Sequence, residues 1–390
     1  MTYIPQNLPE AGSTVCVGMS GGVDSTLTAL LLKQRGCNVI GVTMSLWDGH
    51  FPELEGASQL HEACYSPGEE QNFEECEKFC KEHDIPYHVI DVSKEYNQQV
   101  IEYFKEEYRS GRTPNPCVQC NRFIKFGALW EGIKKINIDF DYFCTGHYAM
   151  IVRPEEGLWN TDVKPAMIAC ASDLTKDQTY FLCRLPSEIL EKVRFPLATI
   201  KKSEVFELAR QANLEAAEKK ESQDFIDPEY FDVLFADKPS RPGKFVDMDG
   251  NVLGKHRGIE HYTVGQRRGL GVSHPTPLYV KEIDAKRNRI VLAEKEYLQS
   301  SSLIADDFVW PGNVEPQESF EAVAKIRLRS KSATAKIEKY TPPADSTVQY
   351  KGQPWKITFY EKQNAITPGQ ALVIYQDDVI IGGGVIQKTL

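Results

Sequence analysis

Thr14-Val15-Cys16-Val17-Gly18-Met19-Ser20-Gly21-Gly22-Val23-Asp24-Ser25 carries an apolar, β-branched run into two adjacent glycines and then into a helix-like stretch from Val23 to Arg35. A strand that ends in such a loop at the start of a helix is a grip for phosphate. Gly21 and Gly22 let the chain turn tightly and bring backbone N–H groups close to an anion with no Cβ in the way. Ser20 and Ser25 add hydroxyl donors, and Asp24 is a carboxylate suited to the magnesium that accompanies nucleotide phosphates. Neither the spacing nor the lysine of Gly-x-x-x-x-Gly-Lys-Ser/Thr is present, so the loop is not that of a Walker-type ATPase. It predicts ATP gripped through its pyrophosphate. The plainer alternative is a Gly/Ser turn joining a strand to a helix.

Around this loop the first half of the chain alternates strand and helix patterns, which predicts an α/β fold with a parallel sheet wrapped by helices. Strands are expected at 14–17, 39–44, 87–92 and 142–145, with helices at 23–35, 69–83, 93–109 and 123–136. Ligands of such sheets collect at the carboxyl ends of the strands. That rule draws Gly18 to Ser25, Met44 and Gly146-His147 to one crevice. After Leu214 the pattern turns to short segments rich in proline and glycine, which suggests a small linking domain. From about Ser301 only short strands follow, at 322–328, 335–339, 355–359 and 371–375, as in a compact β-barrel. The expected domains are 1–213, 214–300 and 301–390.

The chain has 390 residues and a net charge of −10, long enough for several cores and too acidic for broad, sequence-blind binding to nucleic acid. A local basic face is still present: twelve Lys/Arg stand against six Asp/Glu between Lys238 and Lys295. No apolar run approaches the roughly 20 residues that span a bilayer, and no export signal is evident, so no membrane partner and a cytoplasmic setting are expected. The ten cysteines then read as reduced thiols.

Two of those thiols stand out in Gly111-Arg112-Thr113-Pro114-Asn115-Pro116-Cys117-Val118-Gln119-Cys120-Asn121-Arg122. The prolines stiffen a loop, and the Cys-x-x-Cys is expected just before a helix, where the positive end of the dipole and two arginines favour thiolates. Half a zinc site, a redox pair, a cluster ligand pair and two packed thiols all remain open on these residues alone.

Together the two segments carry a specific resemblance. Ser-Gly-Gly-x-Asp-Ser resembles the signature of the ATP pyrophosphatase (PP-loop) superfamily, whose members cleave ATP between the α and β phosphates. Taken with Gly-Arg-Thr-Pro-Asn-Pro…Cys-Asn and Ile124-Lys125-Phe126, the chain resembles the bacterial tRNA-specific 2-thiouridylases, which replace the C2 oxygen of the wobble uridine by sulfur. Further matches follow in order: Thr145-Gly146-His147-Tyr148, Lys176-Asp177-Gln178-Thr179-Tyr180-Phe181-Leu182, Tyr262 to Gly271, Thr367-Pro368-Gly369-Gln370-Ala371 and Gly382-Gly383-Gly384. The resemblance implies an ATP-dependent sulfurtransferase that adenylates the uracil oxygen and then exchanges it for sulfur. It makes Gly18, Met19, Ser20, Gly21, Gly22, Val23, Asp24 and Ser25 the ATP loop, with Met44 and Gly146 beside the adenosine. Asn115, Pro116 and Cys117 would lie at the target base, and Cys120 would be the catalytic thiol, with Asp24 and Cys117 also in the reaction. His147, Lys176, Asp177, Gln178, Arg327, Leu328 and Gln370 fall at positions that meet tRNA near the anticodon. A satisfied polar residue at a strand end stays open for His147, and a solvated turn for Lys176 to Gln178.

The chain also departs from that family. An aspartate is usual where Cys117 stands, and a second catalytic cysteine is usual after Lys219-Lys220-Glu221-Ser222, where this chain has Asp224 and no cysteine beyond Cys183. A carboxylate cannot hold a persulfide, so one cysteine delivering sulfur and another resolving a disulfide cannot operate unchanged. Chains combining Cys64-Tyr65-Ser66-Pro67-Gly68-Glu69 with Pro-Cys-x-x-Cys resemble an iron–sulfur-dependent subgroup, which implies a four-iron four-sulfur cluster held by Cys64, Cys117 and Cys120. Cys76 and Cys80, at i and i+4, compete as ligands or share one apolar helix face. ATP, Mg2+ and that cluster are the cofactors implied. The partners implied are tRNA and a sulfur donor: a cysteine desulfurase, a sulfur relay protein or inorganic sulfide. The rival readings are an amide-forming ligase on the same ATP loop and a tRNA-binding protein that has lost catalysis.

Overall fold

The computed structural model describes residues 1–6, 8–51, 65, 68–218, 225–226, 228–346 and 348–390. Five parallel strands form the first sheet: β1 (Thr14–Gly18), β2 (Asn38–Ser45), β3 (Tyr87–Asp91), β4 (Tyr142–Cys144) and β5 (Val193–Arg194), in the order β3-β2-β1-β4-β5. Val15, Cys16 and Val17 of the central strand are fully buried, because helices cover both faces and leave no polar side to alternate with. The strand order reverses between β1 and β4, so the chain segments leaving these two strands flank the crevice where such sheets take ligands. Helices α1 (Val23–Gln34) and α2 (Glu69–Glu82) keep the expected limits to within a residue.

Two helical stretches differ from expectation. Residues 93–109 divide into Ser93–Tyr96, a π-helical turn Asn97–Ile101 and Glu102–Arg109. The next helix starts at Pro116 rather than near Phe123, running through Pro116–Gln119, a π-helical Cys120–Ala128 and Leu129–Lys135. Asn115 caps it, its side-chain oxygen accepting from Val118 N at 3.1 Å, and Pro116 occupies the first helical position, where a missing N–H costs nothing. The prolines that read as loop stiffeners thus include a helix starter, and the cysteine pair lies in the first turns of the helix rather than before it.

A four-stranded sheet follows, ordered Val252–His256, Gly243–Val246, Arg289–Ala293, Tyr279–Asp284, with its own core of Phe245, Tyr262, Val280, Ile290 and Leu292. Six C-terminal strands then close into an antiparallel barrel: Val379–Thr389, Gln299–Val309, Trp355–Asn364, Ala333–Lys339, Phe320–Lys325 and Ala371–Gln376, the last pairing back onto the first. Fully buried Trp355, Leu303, Leu372 and Ile386 fill it. Three strands from earlier in the chain, Tyr3–Pro5, Met150–Pro154 and Met167–Ala169, extend the barrel's sheet through an Ala169–Val379 pairing. None of the three is among the strands expected from the sequence. Among the described residues no helix is long and apolar enough to cross a membrane.

Candidate functional site

The pyrophosphate loop is fixed at its base by the sheet. Met19 N donates to Val42 O at 2.8 Å, the Thr43 hydroxyl donates to Met19 O at 3.1 Å, and the Met19 and Val23 side chains are buried. Gly21 then takes a left-handed φ of +72°, and Gly22 stands extended at the start of α1 without offering a side-chain cap. The first-turn N–H groups of α1 therefore point outward without a capping side chain, the arrangement that suits an anion. Ser25 Oγ donates to Gly22 O at 3.0 Å and accepts from Ser20 N at 3.2 Å, with Ser20 Oγ at 3.3 Å. The two serines thus hold the loop in shape.

Asp24, in the first turn of α1, is engaged on both oxygens. Lys202 Nζ lies 2.7 Å from each, and the Tyr148 hydroxyl donates to Oδ1 at 2.8 Å. Lys202 opens the helix Lys202–Gln211, its backbone N–H bound to Asp173 Oδ2 at 3.0 Å and its ammonium 4.9 Å from the Phe206 ring and 5.6 Å from that of Tyr148. Gly146 presses on the same turn: a Cβ there would stand 2.7–2.9 Å from the Asp24 carbonyl carbon, Cβ and carbonyl oxygen. Sequence reasoning missed Lys202 and Tyr148. Lys202 follows β5, so the rule about carboxyl ends would have found it had a two-residue strand been recognised.

Met44 is half-buried near the carboxyl end of β2, paired with Ile90. The chain leaving β2 is held by Glu69, which accepts from Ser45 Oγ at 2.5 Å, Leu46 N at 3.0 Å and Trp47 N at 3.2 Å. Burial outweighs these bonds and raises the Glu69 pKa.

The cysteine helix lies toward the same end of the sheet. Phe126 stands 6.0 Å from the ring of His147, just past β4, and Asn121 Nδ2 donates to Phe181 O at 3.2 Å. Cys117 is exposed and Cys120 half-buried, three residues apart and so neighbours on one helix face. Burial pushes the thiols of Cys16, Cys80, Cys170 and Cys183 up to about 12 and raises those of Cys37, Cys76 and Cys144, as expected of packing residues. Cys76 and Cys80 share one buried face of α2. Cys64 and Asp224 lie outside the described residues. Their neighbours Tyr65 and Phe225 are joined by a hydrogen bond from Tyr65 N to Phe225 O at 3.3 Å. The Tyr65 ring stacks on Tyr96 at 5.4 Å, just before the π-helical turn that packs on Pro116–Gln119. Among the described residues no group of three His, Cys, Asp or Glu is placed to hold a metal.

The loop before the cysteines joins all three domains. Arg112 donates to Glu107 at 2.7 Å and to Gln387 at 2.7 Å, Thr113 N to Pro368 O at 2.9 Å, and the Thr113 hydroxyl meets that of Thr263 at 3.5 Å. Gln370 Nε2 donates to Thr113 O at 3.0 Å and Pro114 O at 3.1 Å, so this side chain ties the barrel to the loop.

The remaining residues assigned to tRNA are varied in setting. His147 is buried, with Nδ1 2.7 Å from the Thr145 hydroxyl; burial and then Lys125 hold its pKa well below the usual 6.5, so it is neutral. Asp177 accepts from Ala171 N and from Thr179 N and Oγ1, while Gln178 exchanges two hydrogen bonds of 2.9 Å with the backbone of Tyr148. Both shape a turn that steadies Tyr148, and through it Asp24; Lys176 is half-exposed beside them. Arg327 and Leu328 lie in a turn beyond Lys325, where the expected strand ends early because Ser330 N bonds back to Arg327 O at 3.1 Å. Leu328 is exposed.

Comparison with known proteins agrees with this architecture. Residues 13–226 match the family described as the tRNA methyl transferase HUP domain, 232–294 the tRNA methyl transferase PRC-barrel domain, and 300–386 the aminomethyltransferase beta-barrel domain. The tRNA-specific 2-thiouridylase MnmA of Endomicrobium trichonymphae is 42% identical over 379 residues, covering 97% of this chain and 99% of that protein. MnmA 1 of Syntrophus aciditrophicus is 41% identical over 380 residues, 96% of this chain and 93% of its own. Among solved structures, the U34-tRNA thiolase NcsA of Methanococcus maripaludis with its 4Fe-4S cluster is 19% identical over 53% of this chain and 58% of that one, with a TM-score of 0.29.

Proposed function

The chain belongs to the tRNA-specific 2-thiouridylase family, and from that premise we propose that it is a tRNA sulfurtransferase that uses ATP to place sulfur at C2 of the wobble uridine. One observation carries the reading: a phosphate-gripping loop and a surface-accessible cysteine pair stand toward the carboxyl end of one parallel sheet. Binding of ATP at Gly18 to Ser25 would leave the α-phosphate to the uracil oxygen, with Asp24 as the carboxylate for the magnesium of the nucleotide. Met44 and Gly146 border the space for adenosine. Adenylation turns a poor leaving oxygen into AMP. The base has to be unstacked to enter, which is cheap in an anticodon loop. Asn115, Pro116 and Cys117 then meet the base, while Lys176, Arg327 and Leu328 meet the tRNA near the anticodon. Buried His147 and half-buried Asp177, Gln178 and Gln370 serve that surface by shaping it.

For sulfur, Cys117 and Cys120 supply two thiolates on one helix face, and Cys64 is the third ligand of the cluster. Support for that third ligand comes from Tyr65, its chain neighbour, whose ring stacks on Tyr96 at the start of the helix that packs against Pro116–Gln119. A four-iron four-sulfur cluster bound there would supply sulfur in a reduced, nucleophilic form. Asp224 takes no part in carrying sulfur. The donor is a cysteine desulfurase, a relay protein or sulfide.

Release of AMP and pyrophosphate tests the adenylation step. With ATP and unmodified tRNA both products are expected, and neither in quantity without tRNA. AMP formed on a small amino-bearing substrate in the absence of tRNA would instead mark an amide-forming ligase.

A further inference from the structure

We infer that Glu69 is a positioning residue of the nucleotide site: its carboxylate fixes the chain leaving β2 in the conformation that receives the adenosine half of ATP. This assignment rests on the reading of the site as an ATP site and adds a residue to it. The sheet stops guiding that chain at Ser45, whose carbonyl accepts from Val92 N at 3.0 Å, and Leu46 and Trp47 lie in no helix or strand. Their N–H groups are donors that the ladder no longer serves. Glu69 takes both, at 3.0 and 3.2 Å, and also the Ser45 hydroxyl at 2.5 Å. Three donors on two oxygens suit a carboxylate, which in its ionised form only accepts. Its place in the first turn of α2 favours the charged form against the burial that raises its pKa.

Glu69 can hold the segment because its own helix is held. Cys76, Phe79 and Cys80 bury one face of α2, and a Cβ at Gly41 of β2 would stand 2.9 Å from Cys80 Sγ, so helix and strand are in tight contact. One turn after Glu69, Asn72 reaches the phosphate loop: a Cβ at Gly21 would lie 3.3 Å from Asn72 Oδ1. The start of α2 therefore borders both halves of the nucleotide site, with Asn72 on the pyrophosphate side and Glu69 on the adenosine side, bonded to the residues that follow Met44. Residues three apart share a helix face, so the two contacts set the spacing between the phosphate grip and the chain that meets the base. A base is selected by donors and acceptors at fixed positions. Without Glu69 the chain that supplies them is tethered by the strand alone.

Equilibrium binding of MgATP, AMP and magnesium pyrophosphate to the full chain separates this role from a general support of the fold. Glu69→Gln keeps the size of the side chain but turns an NH2 group toward donors, and is expected to weaken MgATP and AMP alike by about tenfold while leaving pyrophosphate within about twofold. Ser45→Ala, which removes one donor and leaves Glu69 in place, should shift both nucleotides in the same direction by a smaller factor. Circular-dichroism melting reports whether each variant is folded. Unchanged ATP affinity in folded Glu69→Gln or Ser45→Ala, or equal losses for ATP and pyrophosphate, would overturn the assignment. A wild-type chain that binds neither MgATP nor pyrophosphate would overturn the reading on which it rests.

Discussion

Cys120→Ser is expected to reduce 2-thiouridine formation by roughly 10³-fold or more, while tRNA-dependent pyrophosphate release persists. The substitution changes one atom in a half-buried position of a helix whose cap, Asn115, and first residue, Pro116, are untouched. An oxygen there neither ligates iron well nor forms a persulfide, so the loss is expected whichever way sulfur is delivered. Adenylation depends on the loop at Gly18 to Ser25, which the substitution does not alter, and should continue. Mass spectrometry of digested tRNA and a coupled pyrophosphate assay read the two steps separately. Cys37→Ser is the matched control: that thiol is buried beyond the far end of α1, donates to Glu10 O at 3.6 Å, and its replacement should leave both steps unchanged. A Cys120→Ser protein that thiolates normally would remove Cys120 from the chemistry.

The second large effect is expected from Gly146→Ala. A methyl group at this position meets backbone atoms of Asp24 at 2.7–2.9 Å, well inside van der Waals contact, and a helix turn cannot move aside as a flexible side chain can. Either the segment after β4 or the first turn of α1 must shift. Both border the ATP loop, and a misplacement of this kind at a binding site costs on the order of 10²-fold. ATP affinity should fall by about that factor, with a smaller loss of thermal stability. Titration with MgATP measures it, and wild-type affinity in Gly146→Ala would mean that the junction yields without consequence.

The position of Gly146 also marks the limit of what the sequence discloses. The parallel sheet was legible because β1 to β4 are apolar runs bounded by turn residues, and the phosphate loop because its glycines, serines and aspartate are contiguous. The two-residue β5 and the three short strands added to the barrel sheet carry no such period. Asp24 reads as an open carboxylate until the fold brings Lys202 to it from 178 positions away. Gln178 likewise reads as a surface polar group, whereas its bonds to Tyr148 make it a support for Asp24 at second hand. The Gly-Arg-Thr-Pro-Asn-Pro segment is recognisable as a motif, yet its tie to Gln370, Gln387 and Thr263 is purely tertiary. His147 shows the same limit, since its burial and neutrality depend on Phe126 and Phe195 closing over it.

The most direct test is 2-thiouridine formation on unmodified tRNA by protein purified without oxygen, supplied with ATP, and assayed with and without reconstituted iron and sulfide. The proposed function predicts thiolation that requires ATP, appears on reconstitution, and disappears when Cys64, Cys117 or Cys120 is replaced by alanine. Thiolation at full rate from a persulfide donor in iron-free protein would contradict the cluster, and no thiolation under any condition would contradict the function.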